Sequence, residues 1–232
     1  MKTIDFTTVL AISIHDMKNS LSRVLNALDQ IVDPETGDCH CEAPMVAQLQ
    51  YEASRINDNL IQLLALYRQD QGLYQPNFAC VSVHDLLEDG WLSNKPLIDH
   101  HEIECTIDCA PELEWSLDRQ LISALLDNVI TNTVRYTKSL IHLAARLDGE
   151  LLVISIEDDG PGYPEAMLGH WSLDDGAPLN QRLGRTGVGL HFCAMVATCH
   201  ANAAQHGQIV LHNKGPSGGG HFAVFLPPLA AG

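Results

Sequence analysis

The chain has 232 residues, 13 basic and 29 acidic, for a net charge of −16; hydrophobic residues make up 46% and charged residues 18%. That composition belongs to a globular protein, and its acidity excludes general binding to nucleic acid or to anionic membrane surfaces. A nucleotide is not excluded, because glycine loops, helix N-termini and a cation handle its phosphates locally. No apolar run approaches the roughly 18 residues of a membrane span. Met1-Lys2-Thr3-Ile4-Asp5 carries an acid where a signal peptide is apolar. Seven scattered cysteines, an odd number, fit a reducing compartment, so a cytoplasmic protein is expected.

Leu10, Ile14, Met17, Leu21, Val24, Leu28 and Ile31 recur in steps of four and three, the pattern of a narrow helical seam. Val46, Leu49, Ala53, Ile56, Leu60, Leu63 and Tyr67 form a second such run, and the Pro34 and Gly37 between them break the helix. This predicts a helical hairpin over residues 1–70. Two helices bury too little apolar surface alone, so two hairpins are expected to pair into a four-helix bundle, making a homodimer. The alternative is that the hairpin packs on its own C-terminal domain. Cys39-His40-Cys41 lacks a second ligand pair at zinc spacing and reads as loop.

Residues 71–77, with Gly72 and Pro76, read as a linker to a domain over 78–232. There the pattern predicts helices over 83–92, 118–136 and 190–199. Strands are predicted over 102–108, 139–147, 150–157, 209–213 and 221–226. Interleaved without a βαβ repeat, these give an α/β sandwich with helices on one face of a mixed sheet.

Four segments carry possible chemistry. Asp158-Asp159-Gly160-Pro161-Gly162 follows a strand, and Gly184-Arg185-Thr186-Gly187-Val188-Gly189-Leu190 opens a helix; glycine permits sharp turns and close approach to a ligand. Either alone is a weak signal, since Asp-Gly also marks ordinary turns. Asn128 and Asn132, four apart, share a helix face followed by Arg135 and Tyr136. Amide oxygens suit Mg²⁺, although surface asparagines are commonly just solvated. On the first helix, His15 lies beside the seam, with Asp16 next to it as a possible base and Asn19 one turn on. By itself His15 would pass for one of twelve surface histidines.

In this order the four segments resemble the sensor histidine kinases, of the superfamily that includes gyrase and Hsp90. His15–Leu21 is similar to the family's H-box, Asn128–Thr137 to its N-box, Asp158–Gly162 to G1 and Gly184–Leu190 to G2. Gly219–Pro227 is similar to the closing strand. The resemblance implies a Bergerat-type ATP-binding fold using ATP and Mg²⁺. It implies His15 as phosphoacceptor, Asp16 as its base, and Asn19 aligning water for phosphatase action. Asn132 would ligate Mg²⁺, with Asn128 and Arg135 beside the phosphates and Tyr136 against the nucleotide. Asp158 would accept from the adenine amino group, while Gly160, Gly162, Gly184, Gly187 and Gly189 shape the loops; Arg182 and Arg185 are the cations for the terminal phosphate.

The implied activity is ATP-dependent autophosphorylation of His15 and transfer to an aspartate of a response regulator receiver domain, with possible phosphatase action. With 14 residues ahead of His15, a separate sensor protein is expected. Ser20 stands where many members have proline, and Tyr163–Leu183 contains no phenylalanine-centred box. That second departure favours the alternative, a kinase-inactive dimeric phosphotransferase or phosphatase with the same fold. A serine kinase of anti-sigma type would share the ATP fold but not the His15 segment.

Overall fold

The computed structural model describes residues 6–31, 43–71, 75–171, 187–213 and 218–229. They divide into two compact units, Met1–Tyr74 and Gln75–Gly232.

The first unit is a pair of long helices, α1 (Phe6–Ile31) and α2 (Ala43–Asp70). Arg23 Nη1 meets Glu52 Oε1 at 2.9 Å, which helps to set their register. The buried positions of α1 include Ser13, Ser20 and Ala27, at heptad spacing, and those of α2 include Glu52, Gln62 and Leu66. The expected seam therefore splits. Leu10, Met17, Val24 and Ile31 are half-buried, whereas Ile14, Leu21 and Leu28 are about half exposed, together with Leu25, Leu60, Ile61, Leu64 and Tyr67. One helix has two apolar edges here, and a single partner helix covers only one. The segment Cys39–Cys41 lies outside the described residues.

The second unit is a two-layer sandwich. Its sheet has six strands: β2 (Glu104–Cys109), β4 (Leu140–Asp148), β5 (Leu151–Asp158), β6 (Gly169–Trp171), β7 (Gln208–Asn213) and β8 (Gly220–Leu226). They lie in the order β2-β4-β5-β8-β7-β6, with β2 and β4 parallel and every other pair antiparallel. Helices α3 (Val83–His100), α4 (Arg119–Val134) and α5 (Gly187–Cys199) touch one another in turn and cover one face. A separate two-stranded ribbon pairs β1 (Ala79–Ser82) with β3 (Glu114–Leu117).

The elements follow from local chemistry. On α4, Leu121, Ile122, Leu125, Leu126, Val129, Ile130, Thr133 and Val134 make a buried stripe at helical period. Asp118 caps that helix by accepting from Leu121 N–H at 3.0 Å. The backbone N–H of Asp118 donates to His200 Nε2 at 3.1 Å, and His200 Nδ1 donates to Val196 O at 2.8 Å, so the start of α4 is held by the end of α5. β5 is buried along nearly its whole length, as a central strand must be.

The helix expected to end near Leu92 instead runs through Pro96 to His100. Burial of Ile98 draws it on, and the carbonyl that loses its donor to Pro96 belongs to exposed Leu92, where water can serve it. Among the described residues no helix is long and apolar enough to cross a membrane.

Candidate functional site

A cavity of about 300 Å³ opens between α4, the loop after β5 and the start of α5. Its walls are mostly apolar, with Val129, Met167, Leu190 and Phe222 among them, and its polar groups are Asn128, Asn132, Thr133, Tyr136, Tyr163 and Asp158. An apolar slot with a few placed polar groups is what a flat heteroaromatic ring needs.

Asp158, the last residue of β5, is 6% exposed. Its Oδ1 accepts from Gly160 N–H at 2.7 Å, and Gly220 N–H also donates to the carboxylate. Burial pushes its pKa up; the two N–H groups pull it part of the way back, and neighbouring Asp159 adds to the rise. The glycines around it are required by space. A Cβ on Gly219 would stand 2.3 Å from the Asp158 carbonyl oxygen, and one on Gly160 2.3 Å from the Tyr136 carbonyl oxygen.

Asp159 does different work. Its carboxylate accepts from the N–H groups of Lys138, Ser139 and Leu140 and from the Ser139 hydroxyl. Burial opposes its charge, but those four bonds win and hold it below the ordinary carboxylate range. One aspartate thus faces the cavity while its neighbour ties the loop to the start of β4.

On α4, Asn132 Nδ2 donates to Asn128 O at 2.8 Å and to Asn128 Oδ1 at 2.9 Å. Both its amide protons are spent, so the carbonyl oxygen is the group that remains for a ligand. Asn128 Nδ2 donates to Gly189 O at 3.0 Å and contacts Cys193 Sγ at 3.4 Å. A Cβ on Gly189 would sit 2.7 Å from Asn128 Oδ1, so the glycine lets α5 close on the asparagine pair. Gly187 is the first residue of α5. Tyr136 is 54% exposed at the rim, and Arg135, also exposed, caps α4. Gly162, at φ 80°, turns the chain into Tyr163.

Two residues without a motif of their own hold lining residues in place from outside the cavity. Asn213 Oδ1 accepts from Tyr163 N–H at 2.6 Å, and Asn213 Nδ2 donates to Tyr163 O at 2.7 Å. This two-point clamp fixes the loop against β7. Gly220, at the start of β8, holds Asp158 through its N–H. No local signal marks either residue, because their partners lie about fifty residues or more away in sequence.

His15, in the first unit, is exposed, and Asn19 Nδ2 lies 3.2 Å from its Nδ1. Arg182, Gly184 and Arg185 lie outside the described residues, as does the Asp16 side chain.

Residues 117–230 match the family described as histidine kinase-, DNA gyrase B- and HSP90-like ATPase. The match lies within the second unit and takes in α4, β4 to β8 and the cavity. Over a longer stretch the chain is 26% identical to the alginate biosynthesis sensor protein KinB of Pseudomonas aeruginosa, covering 80% of this chain and 31% of KinB. It is 28% identical to the sensor protein BasS of Salmonella typhimurium, covering 86% of this chain and 53% of BasS. The chain therefore spans between a third and about half the length of these relatives.

Among solved structures, the Acinetobacter baumannii histidine kinase AdeS superposes with a TM-score of 0.64 at 16% identity, over 92% of this chain and 98% of AdeS. The histidine kinase ThkA, in complex with the response regulator protein TrrA, gives 0.61 at 16% identity over 95% of this chain and 61% of that one. At such identities the likeness shows the fold alone, which this chain shares with those histidine kinase structures.

Proposed function

We propose that the chain is the catalytic core of a two-component histidine kinase, using Mg-ATP to phosphorylate His15 and passing the phosphoryl group to an aspartate of a response regulator. The observation that carries this reading is the buried Asp158 at the end of an apolar cavity, with the Asn128–Asn132 pair at its side. The residues fit the ligands. A buried carboxylate is a strong acceptor for the adenine amino group, and a carbonyl oxygen with its amide protons already used suits a hard cation.

In this reading Asp158 selects adenine and Tyr136 covers the nucleotide at the rim. Asn132 would hold Mg²⁺, and Asn128 and Arg135 would flank the phosphates. Bound Mg²⁺ supplies charge neutralisation to the phosphates, which is the main demand of phosphoryl transfer. The chain's own residues position the acceptor. Asn19, one helical turn from His15, orients the imidazole at Nδ1; with its carbonyl turned to that nitrogen it would hold the Nδ1 proton and direct the phosphoryl group to Nε2. Asp16 would assist as base. Two hairpins would pair through the exposed ridge of Ile14, Leu21, Leu25 and Leu28 with Leu60, Ile61 and Leu64. Interdigitated, these residues would close a four-helix bundle; their exposure in the hairpin is what supports a homodimer.

The test is incorporation of ³²P from ATP with Mg²⁺. Acid-labile, base-stable label is expected on the wild type and none on His15→Ala; label persisting in the variant would remove His15 from its role. Asn19→Ala is expected to lengthen the lifetime of a phosphorylated partner regulator, and equal lifetimes would refute a phosphatase role. The second reading, a kinase-inactive phosphotransferase, rests on the absent phenylalanine-centred box. It would be favoured if the chain bound no adenine nucleotide.

A further inference from the structure

The sheet face turned away from α3–α5 carries a row of metal-ligating side chains that the nucleotide site does not use. Asp158 and Phe222 line the cavity on the helix face, so their neighbours Glu157 and His221 point to the other side. Register partners across the sheet run Thr106, His142, Glu157, His221 and His212, on β2, β4, β5, β8 and β7. Partners directly opposite share a face at about 4.8 Å spacing.

Two of these groups lack what they need. Glu157 is 7% exposed, and its Oε2 has no hydrogen-bond partner; His221 Nε2 is likewise buried and unpartnered. Such atoms cost free energy unless something meets them. Glu157 Oε1 and His221 Nε2 lie 3.7 Å apart. That is longer than the hydrogen-bond range of about 2.7–3.2 Å. It is close to the roughly 3.3 Å that separates two donors on one tetrahedral Zn²⁺ with bonds of about 2.0–2.1 Å. The His212 ring lies 6.2 Å from that of His221, too far as placed for its nitrogens to join the pair, but His212 is exposed and a side-chain rotation would bring it to the same point. On the far side of Glu157, His142 Nδ1 contacts Thr106 Oγ1 at 2.8 Å, an outer hydrogen bond that fixes its ring as metal ligands require.

We infer that Glu157, His221 and His212 form a binding site for a divalent transition ion of the zinc class, with His142 or water as fourth ligand. Imidazole nitrogens with one carboxylate favour zinc over Mg²⁺, which takes oxygen donors. Burial keeps His221 below the ordinary imidazole pKa; Glu157 works against this, while His212 and Arg146 add to it, which favours the neutral ring whose lone pair a metal ion needs. The inference does not depend on the phosphotransfer reading.

The test is calorimetric titration of the EDTA-stripped full chain with ZnSO₄, with Co²⁺ absorption in the visible as a second readout of tetrahedral coordination. Affinity is expected to fall at least about tenfold in His221→Asn and in Glu157→Gln. His212→Asn, at an exposed position, gives the same direction without endangering the fold. Zinc should also raise the melting temperature of the wild type and not of His212→Asn. Controls are Cys39→Ser with Cys41→Ser, and His84→Asn, the latter in an exposed group with Asp85 and Glu88 at the start of α3. The inference is overturned if the wild type binds no zinc. It is equally overturned if binding is lost in the controls and retained in His221→Asn, Glu157→Gln and His212→Asn.

Discussion

Replacing Asp158 by asparagine keeps the shape of the side chain and removes one acceptor oxygen. The wild-type carboxylate takes N–H bonds from Gly160, at 2.7 Å, and from Gly220. The amide has one oxygen, so its NH₂ must face one of these donors. Rotation gives little relief, because positions 219 and 220 approach within 2.6 and 2.7 Å of the two carboxylate oxygens, measured from a Cβ built there. Losing one hydrogen bond to a charged group costs about 1.5–3 kcal/mol. If Asp158 anchors the adenine amino group as proposed, nucleotide affinity should fall about tenfold to a hundredfold, at 1.4 kcal/mol per decade. Calorimetric titration with Mg-ATP measures the affinity, and urea melts show how much of the cost falls on folding. Wild-type affinity, within about twofold, together with an unchanged melt would refute the reasoning.

Three further outcomes are expected. Gly189→Ala should weaken Mg-nucleotide binding and cost about 1–3 kcal/mol of stability by forcing the Asn128 amide aside; titration and melts read both effects. Burial lowers the His191 pKa from the ordinary 6.5 to about 4. The unfolded chain therefore takes up that proton first, and stability is lost as pH falls below 6.5. The loss is about 2 kcal/mol by pH 5, and urea melts of His191→Leu should show a correspondingly flatter pH profile. Ser20 is fully buried with an unpartnered hydroxyl, so Ser20→Ala should leave the hairpin unchanged or stabilise it by about 1 kcal/mol, whereas a clear loss in thermal melts would show that the hydroxyl has a partner.

What the sequence disclosed depended on how local the physics was. Apolar periodicity placed α4 and most sheet strands to within a residue or two, because a stripe such as Leu121 to Val134 is written in consecutive residues. The ribbon of β1 and β3 went unseen, since two four-residue strands paired from Ala79 to Leu117 leave no pattern of their own. The seam of α1 was readable as apolar, but its division was not: that Ser13 and Ser20 are buried while Ile14 and Leu21 are exposed depends on the packing of the helix, not its period. In the cavity, the motifs pointed to Asp158, Asn128 and Asn132, while Asn213 and Gly220 act across distant strands. The resemblance to kinases located the glycines; only the three-dimensional contacts explain why Gly160 and Gly189 have no room for a methyl group.

The position of β8 bears on how the domain is made. Although it follows the other sheet strands in sequence, it sits between β5 and β7 in the middle of the sheet. During synthesis, β5 must wait with its apolar edge unpaired until residues 220–226 emerge from the ribosome. An unpaired hydrophobic edge is an invitation to join another chain. Asp158, the proposed adenine anchor, gains its second N–H donor at the same moment, because Gly220 arrives with β8. A nascent chain thus displays nearly all the residues of its cavity before the pocket is finished, and a ligand bound there can stabilise only a chain that has closed its sheet.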